Sequence, residues 1–333
     1  MSGRPAARPA WSFLRRWGVS LGSLALGLLV LFVFRRGLPH VGWIVGYILL
    51  MWLVVAALAE LRRPLEGRGR TLVVTAAEYT IQTLHHNLML FVLPAYFAAA
   101  TLTSANGLFV AGVAGAAVLT AVDPWYGALV RGRRWLGDAL LAFSSFAALN
   151  VALALVGLPP ILALVGSAGL SGLGLAPAFR REGAVGWPRV LALAGAAALV
   201  AVVVVWLGRA AVPPAPLFVA RAAIARDVAR LEPVDEVRGA VDSATLTAWG
   251  GVAAYTAIYA PAGIRQSVEH VWRRDGAVVA RIPLAPILGG RTAGFRTWSR
   301  RADLRPPLAG RYTVDVVTSS GQLVGRLRFS VTP

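Results

Sequence analysis

The sequence predicts an α-helical transmembrane bundle of about seven spans followed by an all-β antiparallel sandwich domain. Three observations carry this expectation: long uncharged apolar runs confined to residues 1–213, arginine gathered on one side of those runs, and short alternating strands beyond Pro213 and Pro214. The chain has 333 residues, of which 57% are hydrophobic and 14% charged, whereas soluble domains carry roughly 25% charged residues. The expected domains are a polytopic membrane domain over 1–213 and a periplasmic β-sandwich over 214–333.

Runs such as Gly18 to Phe34 and Val190 to Leu207 contain no charge, and they approach the ~20 apolar residues needed to cross ~30 Å of hydrocarbon. Seven spans follow, over 18–34, 41–58, 83–102, 107–122, 135–157, 161–179 and 190–208. Six or eight are also compatible with the apolar runs. Pro159 and Pro160 interrupt the helix between the fifth and sixth spans, and Pro39 with Arg35 and Arg36 marks the turn after the first. Arg15 and Arg16 precede the first run as in a secretory signal, but the run ends in Phe34, Arg35 and Arg36 without small residues for cleavage. It therefore reads as a retained signal anchor. Gly18 with Gly22 and Gly42 with Gly46 have the spacing that lets membrane helices approach closely.

All the basic charge is arginine, since the sequence contains no lysine, and the net +18 divides unevenly. Residues 1–213 hold 17 Arg against 6 acids, and residues 214–333 hold 16 Arg against 9. With the N-terminus inside, the inner side collects Arg4, Arg8, Arg15, Arg16, Arg62, Arg63, Arg68, Arg70, Arg131, Arg133, Arg134, Arg180, Arg181 and Arg189, while the outer loops hold Arg35 and Arg36. By the positive-inside rule, seven spans then carry the C-terminal domain to the periplasmic side of a bacterial inner membrane. The absence of cysteine excludes disulfides and thiolate metal sites.

The third span opens on a polar stripe, Glu78, Gln82, His85 and His86, whose spacings of 4, 7 and 8 place them on one helix face while Asn87 points elsewhere. If the hydrocarbon begins near Thr83, Glu78 and Gln82 lie at headgroup depth and the histidines lie inside. Ionisable groups at such depth mark ion paths, proton relays or ligand sites, or else pair between helices, here with Asp138 or Asn150 on the fifth span. Two histidines and one carboxylate are a minimal set for a metal, with no further ligand in support, so no metal and no cofactor are expected. Gly18, Ser20 and Gly22 match G-x-S-x-G but open a helix without the strand and turn that expose a nucleophile. No P-loop or dinucleotide fingerprint occurs.

Beyond Leu246 the pattern is strands over 253–259, 267–273, 278–284, 295–300, 312–318 and 323–331, with 218–231 readable as strand or helix. Asp275-Gly276 and Ser320-Gly321 are two-residue turn signals between alternating runs, the pattern of a β-sandwich. Arg221-Ala222, Glu232-Pro233, His270-Val271-Trp272, Arg296-Thr297-Trp298-Ser299, Gly310 through Val316, Gly321 and Phe329-Ser330-Val331 together resemble the bacterial domain-of-unknown-function family 2914 over residues 218–332. Tyr312 stands where that family more often has tryptophan. The membrane half, through His85-His86-Asn87, Leu93-Pro94 and Asp123-Pro124-Trp125-Tyr126, resembles the uncharacterised family numbered 5924 that often precedes it. Neither family has an established activity, so the resemblance implies an architecture and no reaction.

His270 and Trp272 share one strand face, as do Arg296 and Trp298, because strand side chains alternate. Two readings follow. Either the tryptophans are core with the polar pair hydrogen-bonded at its edge, or the four form an aromatic and cationic surface for an envelope glycan, anionic lipid or protein partner. The arginines are dispersed and no nucleic-acid module is present, so nucleic acid is not an expected partner. The sequence thus points to a non-catalytic inner-membrane protein, in contact with membrane lipid, whose bundle anchors a periplasmic binding domain. The alternative is a transporter or membrane enzyme using Glu78, Gln82, His85 and His86.

Overall fold

Backbone polar groups cannot remain unpaired in hydrocarbon, so apolar runs of this length form helices. A computed structural model describes residues 41–180, 185–304 and 306–333, and the expected span over 18–34 lies outside them. The helical region comprises α1 (Val41–Gly67), α2 (Thr71–Ala99), α3 (Asn106–Ala121), α4 (Asp123–Tyr126, continuing as a π turn over Gly127–Arg131), α5 (Arg134–Leu155), α6 (Pro160–Leu173), α7 (Ala176–Arg180) and α8 (Trp187–Leu207). Pro160 opens α6, where its missing N–H costs nothing.

Among the described residues, four helical stretches are long and apolar enough to cross a membrane: α1, α5, Pro160–Arg180 and α8. A fifth is added if α3 and α4, bent by 99°, form one broken span. The expected span over 83–102 falls in α2, which is not in this set because Gln82, His85, His86 and Asn87 dilute its apolar run. Membrane character is plainest in α8, where Leu191, Leu199, Val200, Val204 and Leu207 are all exposed while Val190 and Ala194 are buried. An apolar surface of this extent is unstable in water and stable in lipid.

The chain divides into two compact units. The first contains the helical residues through Pro94, with Ala111–Ala152 and Val165–Trp206. Two of its helices approach closely at Gly172 of α6, where a Cβ would collide with the Ala198 backbone of α8. Among the described residues none comes within 4 Å of a Cβ added at Gly42 or Gly46, and Gly18 and Gly22 lie outside the described residues.

The second unit contains Ala95–Val110, Leu153–Leu164 and everything from Leu207 onward. Its strands are β1 (Phe218–Ala229), β2 (Glu232–Glu236), β3 (Ala240–Asp242), β4 (Val252–Tyr259), β5 (Arg265–Gln266), β6 (Val268–Arg274), β7 (Ala277–Pro283), β8 (Ile287–Leu288), β9 (Phe295–Arg301), β10 (Gly310–Thr318) and β11 (Leu323–Thr332). A short helix, α9 (Ser243–Trp249), starts where Asp242 accepts the Thr245 amide at 2.6 Å, an N-cap. The four-stranded sheet runs β2-β1-β4-β9 and the five-stranded sheet β3-β11-β10-β6-β7, with β5-β8 a separate pair. The ambiguous segment 218–231 is a strand because β2 and β4 pair with it on either side. The five-stranded sheet is mixed, not antiparallel throughout, since β3 lies parallel to β11. One apolar core takes Ile224, Ala254 and Ile258 from the smaller sheet and Trp272, Val314, Leu327 and Phe329 from the larger.

The same unit includes loop residues from the helical region. Asn106 Nδ2 donates to the Leu323 carbonyl at 3.0 Å, and Arg328 donates to the Thr103 hydroxyl. Nearer the β domain, Arg209 Nε donates to the Ser320 carbonyl at 2.9 Å and Gln322 Nε2 to the Val212 carbonyl at 3.2 Å.

Candidate functional site

His270, Trp272, Arg296 and Trp298, which one of the two readings places on a common surface of the β domain, are divided between its core and its exterior, with Trp272 buried and Trp298 exposed. His270 and Trp272 sit on the inner face of β6, both 0% exposed, opposite Val316 and Val314 of β10. Arg296 and Trp298 lie on the outer face of β9, paired in register with Ala257 and Tyr255 of β4. The physical reason is at Ser299 and Thr297, which occupy the inward positions of β9 and are buried. Small hydroxyl side chains fit opposite a fully buried indole where Trp298 would not, and they satisfy its N–H.

These inner groups form one chain. Trp272 Nε1–H donates to Ser299 Oγ at 3.0 Å, and Ser299 Oγ lies 2.8 Å from His270 Nδ1. Across the ring, His270 Nε2 is 3.1 Å from Thr256 Oγ1, which donates to the Thr297 carbonyl at 3.5 Å. Every group is satisfied if Ser299 donates to Nδ1 and the imidazole donates from Nε2 to Thr256, which makes His270 neutral. Burial pushes its pKa down to about 4. The outer pair is tied up differently, since Arg296 Nη1 bonds Glu232 at 2.9 Å beside the Arg221–Glu232 and Arg221–Glu236 ion pairs.

In the first unit the polar stripe of α2 divides around a cavity of about 640 Å³. Glu78 and His85 line it; Gln82 and His86 do not. Glu78 accepts from Arg62 Nη1 at 3.2 Å, and Arg62 Nε also bonds Glu66 at 3.0 Å. Gln82 acts as a clamp: its Nε2 donates to the Thr120 carbonyl at 3.0 Å and to Asp123 Oδ1 at 2.6 Å, while its Oε1 accepts from Arg131 Nη2 at 3.3 Å. The Arg131 guanidinium lies 4.5 Å over the Tyr79 ring, so stacking and a hydrogen bond fix its plane.

His85 Nδ1 pairs with Ser144 Oγ at 2.7 Å. Its partner therefore lies on α5, the helix that carries Asp138 and Asn150, but is a serine. His86 faces the other way, with Nδ1 3.1 Å from the Ala117 carbonyl. Its Nε2, and Asn87 Oδ1, are buried without a hydrogen-bond partner among the described residues.

Sequence reasoning missed the role of Arg62, Arg63, Arg131 and Arg134, which line this cavity. It weighed them only as topology markers. A signal was present: all four lie toward helix ends, Arg62 and Arg63 in the last turns of α1 and Arg131 and Arg134 around the start of α5, close in sequence to the turns that lead into α2 and out of α4. Below them the wall is apolar, formed by Val55, Leu58, Ile81 and Leu141. Among the described residues no three His, Asp or Glu side chains come together as a metal site.

A family model described as "Family of unknown function (DUF5924)" matches residues 7–253. The chain belongs to that family. A second model, "Protein of unknown function (DUF2914)", matches residues 265–331. DUF5924 thus reaches past the helical region through β1, β2, β3 and α9 into β4, and the junction with DUF2914 falls inside the β domain. Residues from both stretches share one core. Neither curated proteins nor solved structures gave a match to the chain.

Proposed function

We propose that this is a multi-pass bacterial inner-membrane protein whose helical unit holds an anionic ligand in a cavity open toward the cytoplasm, with the β domain in the periplasm. The observation that carries this reading is the cavity lining. Four arginines and two glutamates surround a space of about 640 Å³ whose deeper wall is apolar and includes His85. A net excess of guanidinium at the edge of a low-dielectric region favours a bound counter-anion, and the volume falls within the range of small-molecule sites.

The orientation is supported from two directions. Arginine gathers at Arg62 to Arg70 and Arg131 to Arg134, as expected of cytoplasmic ends. The loops expected on the opposite side, within 95–110 and 153–164, fall in the same compact unit as the β domain. The transporter-or-enzyme alternative raised by the polar stripe places Glu78 and His85 on the wall of this cavity.

The test is thermal unfolding of the full-length protein in detergent with phosphate-, sulfate- and carboxylate-bearing compounds against neutral and cationic analogues. Anions should raise the midpoint of the wild type and leave that of Arg131→Gln unchanged. Equal responses to all three charge classes would remove the anion site.

A second reading, binding of an anionic envelope glycan or lipid by the β domain, moves from His270 and Trp272 to another face. Arg273, Arg311, Arg326 and Arg328 line an open groove of about 850 Å³ on the five-stranded sheet. Asp315 accepts from Arg273 Nε at 3.3 Å and from Arg326 Nη2 at 2.9 Å, which orders two of the four.

A further inference from the structure

We infer that the ligand of the helical cavity is a membrane lipid bearing a phosphate, its headgroup held by Arg62, Arg63, Arg131 and Arg134 and the start of its acyl or isoprenoid chains lying on the apolar wall. This rests on the anion-site reading above and names its ligand class.

Arginine chemistry selects the headgroup. The planar guanidinium presents paired N–H donors that match two oxygens of a phosphate, and two of these arginines are held in position before any ligand arrives. Arg131 stacks on Tyr79 and donates to Gln82, which Thr120 and Asp123 hold in turn. Arg62 is braced between Glu66 and Glu78. A cradle fixed in this way loses little side-chain entropy on binding.

Cavity shape selects the lipid over a free anion. Val55, Leu58, Ile81 and Leu141 form a wall that offers phosphate nothing, and sites of several hundred Å³ suit drug-sized ligands. Inorganic phosphate would leave most of the volume unfilled. A lipid fills both parts at once, because the arginines come from helix ends, where headgroups lie, and the apolar residues come from within α1, α2 and α5. The relation is that of a basic pocket between helices on the cytoplasmic side.

The full-length chain is purified in detergent and its bound lipid followed by native mass spectrometry. Phosphatidic acid, phosphatidylglycerol, diacylglycerol and glycerol 3-phosphate are titrated separately. One phosphate-bearing lipid is expected per chain, held at least tenfold tighter than diacylglycerol, with glycerol 3-phosphate unable to displace it at equal concentration. Arg131→Gln and, separately, Arg134→Gln should weaken it at least tenfold. Arg131→Lys, which keeps the charge and loses the fork, should fall between. Arg230→Gln, at an exposed position of the β domain outside both the cavity and the arginine groove, should bind as wild type, which separates the cavity from general adhesion of lipid.

Diacylglycerol binding as tightly as phosphatidic acid would overturn the inference, as would unchanged binding in both glutamine variants. Glycerol 3-phosphate binding as tightly as the lipids would make this a soluble-anion site; the lipid inference then falls and the anion reading stands. Failure of lipids and phosphates alongside stabilisation by a sulfate or carboxylate gives the same division. If no anion of any class acts, the underlying reading falls too.

Discussion

A neutral imidazole inside an apolar core makes His270 a pH-sensitive point of the β domain. Its folded-state pKa is about 4, below the ~6.5 of an exposed histidine. The unfolded chain therefore binds more protons between those values, so stability is fully present above pH ~6.5 and is lost as pH falls toward 4. The total is about 3 kcal/mol at ~1.4 kcal/mol per unit. Urea midpoints of the 214–333 fragment should fall between pH 7 and 5, and His270→Gln should flatten that part of the dependence. The hydroxyl partners carry a related cost: Thr256→Val strips the ring N–H of its acceptor, and an unsatisfied buried polar group costs ~1–3 kcal/mol. A denaturation series at pH 7 would show this loss, and a fully stable variant would refute the hydrogen-bonded chain through Thr256.

Close helix packing and tight turns place demands on single glycines. Gly172 meets the backbone of α8 at Ala198, and membrane helices without a hydrophobic drive between them depend on such contact. Gly172→Leu must separate α6 from α8, and the expected result is a lower unfolding temperature in detergent, whereas Gly46→Leu, whose added side chain meets none of the described residues at its Cβ, should be tolerated. On the β domain, the turn between β6 and β7 holds Asp275 at φ 48° and Gly276 at φ 88°. Two left-handed residues in succession define the hairpin turn that follows strand twist. Gly276→Val should cost ~1 kcal/mol or more, read as a lower urea midpoint, while the Asp275 carboxylate continues to accept the Arg311 amide.

Joining the two families in one core has a consequence for dissection of the chain. The DUF2914 stretch supplies β9, whose sheet partner β4 begins in the DUF5924 stretch. A fragment over 265–333 therefore lacks three of the four strands of the smaller sheet and should show no cooperative unfolding, whereas 214–333 should unfold cooperatively by circular dichroism. Membrane orientation is tested with reporters fused after Pro333 and after Arg70; the first is expected to be active only outside the cytoplasm and the second only inside. A C-terminus inside would mean an even number of spans and would place the β domain among cytosolic partners. The sequence by itself determined the apolar helices, the main strands from 253 onward and the Asp275-Gly276 turn, because these follow from local periodicity and local backbone preference, and its motifs carried the resemblance to the two families. Alternation also showed that His270 shares a face with Trp272 and Arg296 with Trp298. It could not show which face meets the core, because β9 carries Trp298 on one side and Phe295 with the hydroxyls of Thr297 and Ser299 on the other, and only the register across two sheets makes the hydroxyls the better fit against Trp272. Likewise Arg62, Arg131 and Glu78 are remote in sequence, and only the packing of three helices gathers them around one cavity.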